Sequence, residues 1–420
     1  MNIKAPVNNR QTTYVGIALL MGVIVGEGLN LTLAVNGALP SPPLLGQVIE
    51  VLTLLTDIFL RLIKMIISPL VFSILVVGVA KMGDIQTVGR IGIKAMLWFF
   101  LASFSSLLLG MLLVNVLEPG KSLLIDLPPL DAQTGLAQVR PTLANFVAHI
   151  VPKSITEAMA GNEILQIVVF SMFFGVACAG IGEVALPVVK FLDSLAHIML
   201  KVTAYVMKYA PIAVFSAIAS VIAQQGLSVL LTYGKFISEF YLGLVLLGML
   251  LCLVGFLFVG SRILSLLKHI REPMLLAFGT ASSESAYPKL LEQLDRYGCD
   301  EKVCGLVLPL GYSFNLDGSM MYMTFAVLFI AQAYGIDMPL SEQFFMLLVL
   351  LFTSKGVAGV PRASLIVIAA TLSMFKLPEA GLLLLLGVDQ LLDMGRSATN
   401  VLGNSIAATV ISRWERADDL

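Results

Sequence analysis

The stretch EQFFMLLVLLFTSKGVAGVPRASLIVIAATLSMF, residues 342–375, decides the reading of the fold. Its apolar arms, 342–352 and 365–375, are eleven residues each. A membrane crossing needs roughly 20 apolar residues, so neither arm crosses alone. Between them TSKGVAGVPRAS (353–364) holds glycines and a proline, the residues of a chain reversal. A re-entrant helical hairpin follows, because unpaired backbone survives at membrane depth only where protein or a water-filled cavity meets it. The competing reading is a buried helix pair in a channel. Residues 262–297 look like a more polar version, with GTASSES (279–285) at the tip and Arg271, Glu272 and Lys289 in the arms. Each hairpin precedes a long span, 304–334 and 379–411, and a hairpin-then-helix unit used twice is the kind of internal repeat from which secondary transporters are built.

Outward from these units the chain stays apolar. Of 420 residues 58% are hydrophobic and 13% charged, with a mean hydropathy of +0.93, where soluble chains carry about a quarter of charged residues. Further spans are expected near 14–33, 48–80, 94–117, 160–182, 199–224 and 232–260, eight in all. The first could pass for a signal peptide, but the many later segments make it a first membrane helix. Lys81, Arg90 and Lys94, and again Arg262, Lys268 and Arg271, mark cytoplasmic loops, so both termini face the cytoplasm and 119–143 is an external loop. A net charge of −1 argues against a nucleic-acid partner. Cys178, Cys252, Cys299 and Cys304 lack C-x-x-C spacing, and His149, His197 and His269 stand apart, so neither a metal site nor triad chemistry is suggested. The glycines at 356–361 lack the order of a phosphate loop. No cofactor is implied, and no enzyme.

Polar residues inside spans then mark function. In GVDQLLDMGRSATNVLGNSIAATV (387–410) Asp389, Asp393, Arg396, Asn400 and Asn404 are spaced 4, 3, 4 and 4 apart. They fall on one stripe less than about 90° wide. The arrangement suits a zwitterion or dicarboxylate, Arg taking the acid in bidentate fashion and Asp an ammonium; the alternative is a structural Asp–Arg pair. GYSFNLDGS (311–319) interrupts its span, with Pro309, Gly311 and Gly318 around Ser313, Asn315 and Asp317. An unwound helix there would hold a hard cation or relay a proton, unless it is only a capped kink. The tip residues Ser282, Ser283, Glu284 and Ser285 suit an anionic group at a half-helix N-terminus. Arg61 and Lys64 are expected to snorkel, and the clusters Phe99–Phe100 and Met320–Met321 to pack.

At SSESAYP (282–288), GYSFNLDGS (311–319), SKGVAGVP (354–361) and DMGRSATNVLGN (393–404) the chain resembles the dicarboxylate/amino acid:cation symporter family. Looser likeness runs from RLIKMIISPLVF (61–72) to KYAPIAVF (208–215). The resemblance implies an all-α membrane protein of eight transmembrane helices plus two re-entrant hairpins with inverted repeats, working as an elevator and assembled as a homotrimer in lipid. Residues 1–93 would be scaffold, 94–118 a transport-domain helix, 119–231 external loop and scaffold, 232–411 transport domain and 412–420 a cytoplasmic tail. By resemblance Arg396 holds the substrate's side-chain carboxylate and Asp393 its amino group. Asn400 and Ser283 contact the α-carboxyl end, Ser319 supports the distal carboxylate, and the backbone of Val357, Gly359 and Val360 lines the lid.

Coupling residues by the same resemblance are Ser103, Gly311, Asn315, Asp317 and Asn404, with Glu284 protonatable nearby. Asn404 stands where sodium-coupled members carry an acid, and Ala102 precedes Ser103 where they have Thr. Both look like the proton-coupled bacterial branch of the inner membrane. Met323 replaces the proton-carrying glutamate of animal members, and Arg362 is unusual. The expected activity is import of L-glutamate and L-aspartate with protons. The alternatives are C4-dicarboxylate transport, sodium coupling and a gated anion channel. Asp393 and Pro361 favour amino acids over C4-dicarboxylates.

Overall fold

The computed structural model describes residues 9–33, 43–82, 85–122, 127–129, 150–227, 233–354, 363–386 and 388–418, and they hold sixteen α-helices and no strand. The lid residues Val357, Gly359 and Val360, with Pro361 and Arg362, lie outside the described residues, as does most of the expected loop 119–143. Three long helices come first: α1 (Asn9–Leu33), α2 (Pro43–Met82) and α3 (Ile85–Leu117). The short α4 (Ile155–Gly161) leads into α5 (Ile164–Ile181), α6 (Leu186–Val206) and α7 (Ala210–Gln225). The span expected at 199–224 therefore opens earlier, at Leu186. Pro187 sits in the first turn of α6, where its missing N–H costs nothing. Lys190, Asp193 and His197 then lower the local hydropathy without breaking the helix. Pro211 likewise opens α7, and a 3₁₀ turn at Met207–Tyr209 bends the run instead of ending it.

The second half is α8 (Gly234–Val259), α9 (Arg262–Thr280), α10 (Tyr287–Tyr297), α11 (Glu301–Phe314), α12 (Asp317–Ala333), α13 (Leu340–Thr353), α14 (Ala363–Met374), α15 (Leu382–Leu386) and α16 (Asp389–Asp418). Helices α9 and α10 pack on each other, as do α13 and α14. Ala281, left-handed at φ 48°, ends α9 and starts its reversal. The stretch expected as one span at 304–334 is two helices, α11 and α12, parted at Asn315 and Leu316. The stretch 379–411 is a 3₁₀ turn, the short α15, and α16. Six described stretches are long and apolar enough to cross a membrane; one of them, Ile164–Gln225, contains two expected spans, and polar α16 is not among the six.

Packing sorts the helices. Helix α2 lies against α5, α6 and α7, and α1 against α7. Helix α16 lies against α8, α9, α11 and α12, and α3 lies along α12. Helix α3 is fastened at both ends. Glu415 of α16 accepts from Arg90 Nη2 at 2.8 Å and Lys94 Nζ at 2.7 Å. At the other end Asn115 Nδ2 donates to Gln343 Oε1 at 2.7 Å, Gln343 Nε2 returns a bond at 3.2 Å, and Gln332 Nε2 donates to Val114 O at 3.0 Å. The broken helix is the most enclosed of the six apolar stretches: 94% of the most apolar window of Glu301–Ala333 is buried, against 17% for Thr13–Thr32.

Candidate functional site

Breaking a helix frees carbonyls on one side and N–H groups on the other, and inside a membrane protein each needs a partner. The break at Asn315–Leu316 obtains them from neighbouring helices. Asn400 Oδ1 on α16 accepts from Gly318 N at 2.9 Å and Ser319 N at 3.4 Å, so it caps α12 from another helix. Its Nδ2 donates to Ser319 Oγ at 3.2 Å. On the carbonyl side, Ser103 Oγ of α3 donates to Phe314 O at 3.4 Å. The cap works because α16 passes very close. A Cβ on Gly318 would stand 2.6 Å from Arg396 O, and one on Gly403 would collide with the Asp317 carboxylate.

Two polar clusters line this crossing. In the first, Arg396 Nη2 lies 3.1 Å from Asp389 Oδ1 and 3.1 Å from Asp393 Oδ1. The Arg396 guanidinium carbon sits 4.0 Å from the centre of the Tyr322 ring, whose hydroxyl donates to Asp389 Oδ1 at 3.1 Å. Arg396 is buried, yet its Nε and Nη1 have no hydrogen-bond partner among the described residues. Asp393 is the open member, its side chain 36% exposed against 6% for Asp389. In the second cluster Asn315 Nδ2 reaches Asp317 Oδ2 at 3.1 Å and Asn404 Oδ1 at 3.1 Å, and Ser106 Oγ lies 3.4 Å from Asp317 Oδ1. Asn315 Oδ1 and Asn404 Nδ2 are buried without partners among the described residues. A Cβ on Gly311 would collide with Asn404 Oδ1, which brings that backbone to the same point.

The structure thus joins Arg396, Asp393 and Asp389, joins Asn400 to Ser319, and joins Asn315, Asp317 and Asn404 with Gly311 beside them. Ser283 and Glu284 are at the reversal between α9 and α10, in or next to a 3₁₀ turn that packs on α2. Ser283 is buried, and among the described residues neither side chain hydrogen-bonds to the two clusters. Tyr322 and Ser106 are members that the sequence reading missed. Tyr322 sits among methionines at 320, 321 and 323 and reads as packing, because the charge it faces is 74 residues away. Arg396 Nη2 is shared by two carboxylates, and the N–H groups without a partner among the described residues are those on Nε and Nη1. The arrangement offers buried guanidinium and amide donors beside carboxylates, between apolar helices.

Comparison with known proteins agrees. Residues 12–414 match the sodium:dicarboxylate symporter family model. The chain is 40% identical over 406 residues to a proton/sodium-glutamate symport protein of Geobacillus stearothermophilus, covering 95% of this chain and 93% of that one. It is 42% identical over 365 residues to a proton/glutamate-aspartate symporter of Bacillus subtilis, covering 86% and 88%. It is also 41% identical over 371 residues to a C4-dicarboxylate transport protein of Laribacter hongkongensis, covering 87% and 84%. The chain belongs to the sodium:dicarboxylate symporter family. It is a transporter and an integral membrane protein, nearly all helical, with several apolar helices.

Proposed function

We propose that this protein imports L-glutamate and L-aspartate with protons by secondary active symport. The observation that carries the substrate reading is Arg396, a buried guanidinium with Nε and Nη1 unpartnered among the described residues, beside a half-open Asp393. A substrate carboxylate satisfies the donors, and an ammonium satisfies Asp393. Asp393 then has to exchange Arg396 for the substrate's amino group. Ser319 and Asn400 lie at the capped start of α12, where N–H groups favour an anion. Ser283, and the backbone of Val357, Gly359 and Val360, close the site in this reading.

For the coupled ion, a sodium site asks for several oxygens with negative charge among them. Asn404 brings an amide that accepts from Asn315 and carries an unpartnered N–H donor, which a bound cation disfavours. Ser103, Gly311, Asn315, Asp317 and Asn404 therefore form a relic of such a site, and Glu284, Asp317, Asp389 and Asp393 are the protonatable groups along the pathway in this reading. C4-dicarboxylates are the second reading, favoured by the relatives named as their transporters at similar identity.

The architecture we propose is eight spans with α9–α10 and α13–α14 as re-entrant hairpins, in a bacterial inner membrane with both termini cytoplasmic. The packing of α16 with α8, α9, α11, α12 and of α2 with α5 to α7 supports a transport domain (94–118 and 232–411) moving past a scaffold (1–93 and 119–231). The homotrimer rests on the family resemblance. The test is labelled aspartate uptake into proteoliposomes with an acidic exterior and no sodium. Accumulation abolished by a protonophore is expected; accumulation that needs sodium and ignores the protonophore overturns proton coupling. Competition by glutamate, succinate and serine separates the two substrate readings.

A further inference from the structure

Away from the substrate clusters, the ends of α8, α10 and α16 and the start of α9 enclose a cavity of about 330 Å³. Three arginines line it, Arg262, Arg413 and Arg416, with Ser412, Tyr297 and Cys299, and no carboxylate is in its wall. Arg413 Nη1 donates to Val259 O at 2.9 Å and Arg416 Nη2 to Gly298 O at 2.8 Å. Each guanidinium is thereby fixed by one nitrogen while its other donors stay available. The Arg262 side chain makes no hydrogen bond or ion pair among the described residues. The acids next to lining residues in sequence are engaged elsewhere: Glu415 by Arg90 and Lys94 on the far side of α16, and Asp300 by the N–H groups of Lys302 and Val303 that it caps. Three positive charges in one small cavity repel one another, and an anion relieves that.

A second feature says which anion. Leu257 precedes the lining residue Val259 by two positions and Leu264 follows Arg262 by two, and they are exposed at 73% and 64%. A basic cavity at the end of the apolar, membrane-length α8, with exposed leucines on either side of its lining residues, is placed where a lipid headgroup reaches. We propose that this cavity binds the phosphate of an anionic phospholipid, its acyl chains lying on the exposed leucines. Basic pockets between membrane helices hold headgroups in this way. Free inorganic phosphate offers the same oxygens but nothing to the leucines.

Native mass spectrometry of the full chain in detergent, titrated with phosphatidylglycerol, phosphatidylcholine or inorganic phosphate, tests the proposal. Phosphatidylglycerol is expected to bind at least several-fold tighter than phosphatidylcholine. Arg262→Gln is expected to weaken it about fivefold, roughly what one cation near an anionic headgroup contributes, while Arg262→Lys keeps most of the affinity. Aspartate uptake by both variants checks that they fold. Equal binding of the two lipids, or no loss in folded Arg262→Gln, overturns the proposal. Phosphate binding that needs Arg262 while phosphatidylglycerol does not bind assigns the cavity to a soluble anion and overturns the lipid.

Discussion

Arg396 carries the sharpest consequences. Truncating it to alanine leaves Asp389 and Asp393 facing each other in a buried place and removes the donors a substrate carboxylate needs. Losing a buried charge-assisted partner costs about 3 kcal/mol or more, so the apparent affinity for aspartate in uptake assays falls roughly a hundredfold. Near-normal affinity in Arg396→Ala would remove the residue from the site. Asp393→Ser tests the amino group: aspartate uptake weakens far more than succinate uptake, because only aspartate brings an ammonium. An equal loss for both means the Asp393–Arg396 pair is structural. These residues were legible from spacing alone, since a helix puts positions 4, 3, 4 and 4 apart on one stripe. Tyr322 was not, because a cation–π contact across two helices leaves no period in either. Tyr322→Phe keeps the ring under Arg396 and loses the hydroxyl bond to Asp389, so it costs transport much less than Arg396→Ala.

At the level of elements, the short arms α13 and α14 are legible as two apolar runs of half a crossing's length, whereas α9, at 19 residues, is set apart by its polar residues and not by its length. The break at Asn315 was legible as an interruption in an apolar run, but not the means of capping it: Asn400 lies 82 residues from Gly318. Replacing Asn400 with leucine leaves two N–H groups of α12 unsatisfied, a loss of about 1–3 kcal/mol each. Its melting temperature in detergent should fall, whereas a merely substrate-contacting residue would leave it unchanged. The anchoring of α16 to α3 is pH-dependent. Burial pushes the Glu415 carboxyl up, but hydrogen bonds from Arg90 and Lys94 outweigh it and hold the group below the ordinary glutamate range. A depressed folded-state value means the stabilisation is full above the unfolded value, about 4.3, and is lost as pH falls through the folded one. Thermal melting should therefore drop between about pH 5 and 3 in the wild type, and drop less in Glu415→Gln, which already lacks the bond at pH 7. Parallel curves for the two proteins would show that the contact adds nothing.

Across the whole molecule, α3 is fastened at both ends to α12, α13 and α16, although it follows α2 directly in the chain, and this supports the proposed division into two bodies. Disulfides test that division in a background with the four native cysteines changed to serine. Gly78 of α2 faces Lys302 of α11, where a Cβ would stand 3.8 Å from the Cα of Lys302. Oxidising Gly78→Cys with Lys302→Cys is expected to stop uptake until reductant is added. Asn115→Cys with Gln343→Cys joins α3 to α13 inside one body and should leave uptake close to that of the reduced protein. Arrest by both pairs would mean that α3 does not travel with α13. The extra helical turns of α6 escaped the sequence because hydropathy measures contact with lipid, whereas the helix continues through polar residues wherever its backbone can. The seam where α16 crosses α12 also bears on heredity. With Gly403 against the Asp317 carboxylate, a larger residue at 403 displaces that carboxylate or calls for a shorter side chain at 317. A lineage that makes that exchange alters Asp317, a member of the Asn315–Asp317–Asn404 cluster, so the two positions are expected to change together.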